Sequence, residues 1–320
     1  MAVFKFTTPQ KIYEIGGKRI GGQPGELPAT LIGSIFYQGH KIVEDPKMGI
    51  FDRARAEELI EKQDELSDLT GNPCMLDVVC TSVEAARSYI DFVSEATEAP
   101  ILLDAYPKVR LEALEYVTEV GLTNRIVYNS IYSPSEAEVD AIRDSGIEAA
   151  ILLAYNVEDR TTEGVLSLLR GTDESPGLLE VSERAGITKP LVDTTIFTYI
   201  PSIGIGARAI LRVKEELGLP AGGAPGNATA VWKQPEEWGP DVAKINYVAP
   251  QVVPLALGAN FLLYGVIEAA PWVFPACTAV DAMIASTAQI EHDIETLTDE
   301  HPLYKLFPEF VEKIEKARGA

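Results

Sequence analysis

Several short apolar runs in this 320-residue sequence end on a side chain that could do polar chemistry. Ile-Leu-Leu-Asp closes on Asp104, Arg-Ile-Val-Tyr-Asn on Asn129 and Pro-Leu-Val-Asp on Asp193. Ala-Ile-Leu-Leu-Ala-Tyr-Asn reaches Asn156, Asp77 stands near the end of another run, and the Gly222–Gly223 loop leads to Asn227. Any one of these could merely cap a helix or shape a turn, as Asp and Asn commonly do. Several converging on one surface are harder to explain by capping. Carboxylates only accept hydrogen bonds, whereas a carboxamide donates and accepts together. The set suits a flat ligand with adjacent N–H donors beside a carbonyl, the edge of an amino-pyrimidine such as a pterin.

Such residues meet only if the runs are neighbouring strands. The β-rich runs are Thr30–Tyr37, Cys74–Val79, Ile101–Asp104, Arg125–Asn129, Ala149–Ala154, Pro190–Asp193, Leu219–Gly223 and Phe261–Tyr264. Amphipathic stretches fall between them, including Arg53–Leu69, Val83–Ala96, Val109–Val120, Ser135–Ser145, Ala207–Leu217 and Val273–Ala288. In Arg53–Leu69, Ala56, Leu59, Ile60 and Leu66 repeat near helical spacing. Gly71, Gly121, Gly146, Gly186 and Gly218 stand where helices should stop. Alternating strands and helices imply βαβ units and a parallel sheet buried on both faces. The pattern predicts a (β/α)₈ TIM barrel in a single domain over 1–320, with a doubly wound open sheet as runner-up. Residues 1–23 read as an N-terminal hairpin over the barrel bottom. In such a barrel, strand carboxyl ends carry the chemistry, so the polar residues would share one mouth.

Composition narrows the classes. Lys and Arg total 27 against 48 Asp and Glu, a net charge of −21. That surface disfavours nucleic acid and anionic lipid, which are bound through clustered cations. The three cysteines, Cys74, Cys80 and Cys277, and the absence of an apolar secretory core fit a reducing, cytoplasmic setting. Ile245–Ile267 carries no charge, but Pro250, Pro254, Gly258 and Gly265 interrupt it. A helix followed by a buried strand is expected there, and no membrane span.

Other features are ambiguous. His40, His292 and His301 lie far from any cysteine in sequence, so no metal site is expected. Gly204-Ile-Gly206-Ala-Arg208 could place Arg208 against an anion, but a lone Gly-x-Gly is a weak signal and loop flexibility explains it as well. Glu268 could be a site acid or a capping residue, Asp77 could join the pocket or sit solvated on the rim, and His40 reads as structural.

The chain resembles a known family through most of its length: Gly21–Glu26 (Gly-Gly-Gln-Pro-Gly-Glu), His40–Asp45, Gly49–Asp52, Thr70–Pro73, Tyr128–Ile131 and Leu262–Glu268. These segments resemble the H subunit of tetrahydromethanopterin S-methyltransferase and its bacterial relatives that methylate tetrahydrofolate from a methyl-corrinoid protein. The resemblance places the chain among pterin-binding barrels that include dihydropteroate synthase. It implies that Asp104, Asn129 and Asp193 hold the pterin and that Asn227 stands beside the reacting N5, with Trp232 five residues on. A synthase-type Lys and Arg are missing from Leu219–Gly223 and Phe261–Glu268. The implied reaction moves a methyl group between N5 and cobalt, the corrinoid arriving on a partner protein because no Asp-x-His-x-x-Gly motif is present. Asp104-Ala105-Tyr106 departs from the archaeal pattern and favours tetrahydrofolate over tetrahydromethanopterin. A homodimer is expected by resemblance and because two-fold assembly is commonest. The competing class is a non-catalytic docking subunit for a corrinoid protein.

Overall fold

The computed structural model describes residues 4–229 and 231–318. Eight parallel strands close into a barrel: β1 (Thr30–Ile35), β2 (Cys74–Cys80), β3 (Ile101–Ala105), β4 (Ile126–Ile131), β5 (Ala149–Leu153), β6 (Lys189–Asp193), β7 (Ala221–Gly223) and β8 (Phe261–Val266). Each pairs with its sequence neighbour and β8 pairs with β1, so no strand edge is left.

The helices start and stop where local chemistry dictates. Asp52, Ser82, Ser135 and Thr161 accept backbone N–H bonds at the starts of Arg53–Thr70, Val83–Ala96, Glu136–Ser145 and Thr162–Arg170. Gly71 ends the first helix at φ 84°. A Cβ there would fall 1.9 Å from Glu300 O, so both the conformation and the packing require glycine.

Strand alternation separates two cores. Outward residues such as Leu76, Leu103, Tyr128 and Val192 pack under the helices. Inward Ile32, Met75, Leu102, Val127, Ile151 and Leu191 fill the barrel, joined by Ile15 and Ile20. Those two come from an antiparallel hairpin, Ile12–Ile15 with Lys18–Gly21, which covers the amino-terminal end. The first residues of the expected 1–23 hairpin, Met1 to Val3, lie outside the described residues. Two residues beyond the inward apolar layer, the same strands present Ser34, Asp77, Asp104, Asn129 and Asp193 toward the mouth.

In the uncharged stretch, the helix Pro240–Ala256 is followed by β8. Among the described residues, one helical segment, Ile267–His292, is long and apolar enough to cross a membrane, judged by length and composition. Here it wraps the barrel, with Val273, Phe274 and Cys277 buried in the outer core. Between β5 and β6 the structure adds Thr162–Arg170 and Leu178–Arg184, a helix pair outside the stretches expected from sequence.

Candidate active site at the barrel mouth

Asp77 stands between Ser34 and Asp104 in the inward row. It is buried, accepts Ser34 Oγ at 2.7 Å and Asn129 Nδ2 at 3.2 Å, and lies beside Asp104. Burial, together with the Asp104 charge, pushes its carboxyl up to about 8, while the Ser34 and Asn129 donors pull the other way. Burial pushes Asp104 up to about 6 against the opposing Arg110 charge. Asp104 and Asn129 are register partners on β3 and β4. Asp104 accepts no hydrogen bond from a described residue and borders an open cavity. Its oxygens are therefore available to a ligand.

A clamp behind the row fixes both strand ends. The Arg110 guanidinium donates to Ala105 O at 3.1 Å and Asn129 O at 2.8 Å. It pairs with buried Glu138 at 3.1 Å and lies 4.6 Å from the Tyr128 ring centroid. Tyr128 Oη donates to the same Glu138 oxygen at 2.6 Å. Sequence reading missed this group. Its signal was a charged residue on each buried helical stripe: Arg110 with Ala113, Leu114 and Val117, and Glu138 with Val139 and Ile142.

Asp193 ends β6, buried, with Thr195 N donating to one carboxylate oxygen at 2.8 Å. Burial pushes it up to about 6 against that single bond. Asn227 lies beyond β7 on the short helix Pro225–Thr229, with its side chain exposed and unbonded to any described residue, so helix capping has no bond behind it. Gly226 lets this helix approach β8, since a Cβ there would lie 2.5 Å from Tyr264 O.

Two residues considered from sequence are not brought to this row. Asn156 spends its amide locally, donating to Gly164 O and accepting from Glu158 N and Asp159 N. Arg208 is exposed on the outer helix Ile203–Leu217.

Glu268 does face the mouth, within a network absent from the sequence reading. Tyr37 Oη donates to its carboxylate at 3.1 Å, and His40 Nε2 lies 3.1 Å away with its N–H poorly aimed. His40 Nδ1 accepts Phe36 N, which leaves the proton on Nε2, and its ring stacks on Tyr37 with centroids 4.3 Å apart. Burial would raise the Glu268 carboxyl, but the His40 and Tyr37 contacts outweigh it and hold the group below its usual range. Tyr37, His40, Lys47, Cys80, Asp104 and Tyr106 border a cavity of about 800 Å³. A smaller groove, about 310 Å³, is walled by Trp232, Tyr247, Trp272 and Lys244 on the β7–β8 side.

The family description "Tetrahydromethanopterin S-methyltransferase MtrH subunit" matches residues 8–297. The chain belongs to this family. The H subunit of tetrahydromethanopterin S-methyltransferase from Methanopyrus kandleri is 40% identical over 310 residues, covering 92% of this chain and 96% of that one. The same subunit from Methanocaldococcus jannaschii is 41% identical over 320 residues, covering 95% and 100%. Members of this family are methyltransferase subunits, as the resemblance led us to expect. Among solved structures, dihydropteroate synthase from Xanthomonas albilineans with 4-aminobenzoic acid superposes with TM-score 0.57 at 17% identity, covering 86% of this chain and 98% of that one. The synthase from Coxiella burnetii in complex with pteroic acid gives 0.54 at 13%, covering 84% and 98%. Both establish the barrel fold of this family member.

Proposed function

We propose that this chain moves a methyl group between N5 of a tetrahydropterin bound at the barrel mouth and a corrinoid carried by a partner protein. The observation that supports it most is the inward row itself: half-buried Asp104 and buried Asp193, with unfilled acceptor sites, set where a flat donor-rich ring would enter. Asp104 and Asp193 accept from the ring's N–H groups, and Asn129 adds its carboxamide between them. Asn227, whose amide is unbonded, orients N5. The corrinoid supplies the cobalt that exchanges the methyl group. The chain's own contribution is positioning, holding N5 outward and excluding water from the ring edge.

For the pterin we propose tetrahydromethanopterin, which the names of the similar subunits carry. The preference for tetrahydrofolate rested on Asp104-Ala105-Tyr106 and gains no support from those names. Ala105 packs into the outer core and Tyr106 is 75% exposed on the cavity rim, so neither belongs to the inward row. We further propose a cytoplasmic two-fold dimer, which sedimentation across a concentration series would reveal.

The test is methyl exchange between cobalamin and each pterin, catalysed by the purified chain. Exchange with tetrahydromethanopterin, lost in Asp104→Ala, is the expected result. Pterin binding without exchange, even with a corrinoid protein supplied, would instead identify a docking role.

A further inference from the structure

The pterin-facing groups assigned so far leave Asp77 without a role, although it is the most enclosed carboxylate of the row. Its position on β2 is one strand from Asp104 and two from Asn129. It reaches both sides of the pocket wall: Ser34 Oγ donates to Oδ2 at 2.7 Å and Asn129 Nδ2 to Oδ1 at 3.2 Å. An oxygen of Asp77 that carries no proton cannot donate, so this contact sets which end of the Asn129 amide points inward. Asn129 Oδ1 and one remaining N–H are then left for the mouth.

We propose that Asp77 is the positioning residue of the pterin pocket, holding the Asn129 amide in one orientation so that its oxygen and the Asp104 carboxylate present neighbouring acceptors to the ligand. Without it, Asn129 Nδ2 has a competing acceptor at hand. Asp104 is its register partner, accepts no hydrogen bond from a described residue, and would take that N–H. The amide would then cap the carboxylate that the ligand needs, and a ring donor would have to displace it.

The anchor does not depend on Asp77 being ionised. The charged and titratable groups facing it are Asp104 on β3, Cys80 on β2 and, through Asp104, the Arg110 guanidinium; Ser34 and Asn129 complete its surroundings. When Oδ2 takes a proton, the Ser34 hydroxyl can turn from donor to acceptor, because it has both capacities. Oδ1 continues to hold Asn129 Nδ2. Asp77→Asn mimics that state, its amide oxygen accepting from Asn129 and its amide nitrogen donating to Ser34. Asp77→Leu keeps comparable bulk and removes every acceptor.

This assignment rests on the proposed pterin site, and its test keeps the two apart. Tetrahydromethanopterin and tetrahydrofolate are titrated anoxically into wild type, Asp77→Asn, Asp77→Leu, Asn129→Ala and the Asp77→Leu/Asn129→Ala double variant, each with a melting curve. Asp77→Asn should bind within a few-fold of wild type, and Asp77→Leu about 10- to 100-fold more weakly, the range expected when a buried polar partner is misdirected. In the Asn129→Ala background Asp77→Leu should cost nothing further, because a residue acting through Asn129 is non-additive with it. Should Asp77→Leu fail to fold, Asp77→Val, smaller and strand-favouring, takes its place. A folded Asp77→Leu with wild-type affinity overturns the assignment, as does Asp77→Asn binding as poorly as Asp77→Leu, or full additivity in the double variant. A wild-type chain that binds neither pterin overturns the site, and this role with it.

Discussion

The two ends of the barrel bury ionisable groups in opposite ways. Near the amino-terminal end, Lys214 is enclosed and donates to Asn260 Oδ1 at 2.6 Å and Gly22 O at 2.9 Å, with the Phe6 ring 5.2 Å from its ammonium. Asp281 accepts Asn72 Nδ2 at 2.6 Å and Ala29 N at 3.1 Å. These groups are matched by the protein itself. At the mouth, among the described residues, Asp104 has no hydrogen-bond donor and Asp193 has one. Buried polar groups are normally satisfied because an orphan costs roughly 1–3 kcal/mol. Lys214 and Asp281 matched below, and Asp104 and Asp193 left largely open above, separate what the fold needs from what a ligand supplies.

Breaking that comparison at its support should give the largest effect. Arg110→Met leaves Glu138 buried without its cation and should cost about 3–5 kcal/mol of stability in a denaturant melt. At the bottom, Ile20→Ala empties part of the inner core and should cost about 2–5 kcal/mol while folded protein keeps its pterin affinity. A change in affinity there would mean that the two ends are coupled. Asn227→Ala removes an unbonded amide from the mouth, so pterin affinity should stay within a few-fold while methyl transfer falls about 10²-fold, near 2.7 kcal/mol of barrier. A less stable but fully active variant would end that role.

Asp193→Asn sharpens the contrast in the other direction. A carboxyl raised by burial to about 6 contributes stability that is present below its unfolded pKa and is lost as pH rises through its folded one. The amide removes that loss and can still accept from Thr195 N. The ligand-free variant should thus gain up to about 2–3 kcal/mol over wild type at pH 7–8, with the difference vanishing below about pH 4. Smallest of all, Asn156→Ala and Arg208→Ala should leave pterin affinity unchanged, since neither side chain is brought to the inward row.

Much of this arrangement is legible in the sequence because strand period and strand end are local properties. Asp104, Asn129 and Asp193 each close an apolar run, and alternation puts them two residues above Leu102, Val127 and Leu191. The helix pair between β5 and β6 escaped because its members are only 9 and 7 residues long, shorter than the window of about 11–18 residues over which a helical period is read. Asn156 looked like a strand-end ligand because an Asx turn uses the same residue type. The Tyr37–His40–Glu268 network joins residues 231 positions apart through barrel closure, and the Arg110–Glu138 clamp joins residues 28 apart through the packing of neighbouring helices. The family-like segments also divide by function. Asn72 of Thr70–Pro73 serves the Asp281 network and Glu26 of Gly21–Glu26 accepts Gln23 N, whereas His40 and Glu268 face the mouth.

The central claim is that the unfilled acceptors at the mouth await a tetrahydropterin ring, and anoxic calorimetry tests it most directly. Tetrahydromethanopterin and tetrahydrofolate would be titrated into wild type, Asp104→Ala and Asp193→Ala, all checked for folding. Wild type should bind tetrahydromethanopterin saturably, and each alanine variant more weakly by roughly 1–3 kcal/mol. Equal affinity across all three proteins, or no binding of either pterin to the wild type, would contradict it.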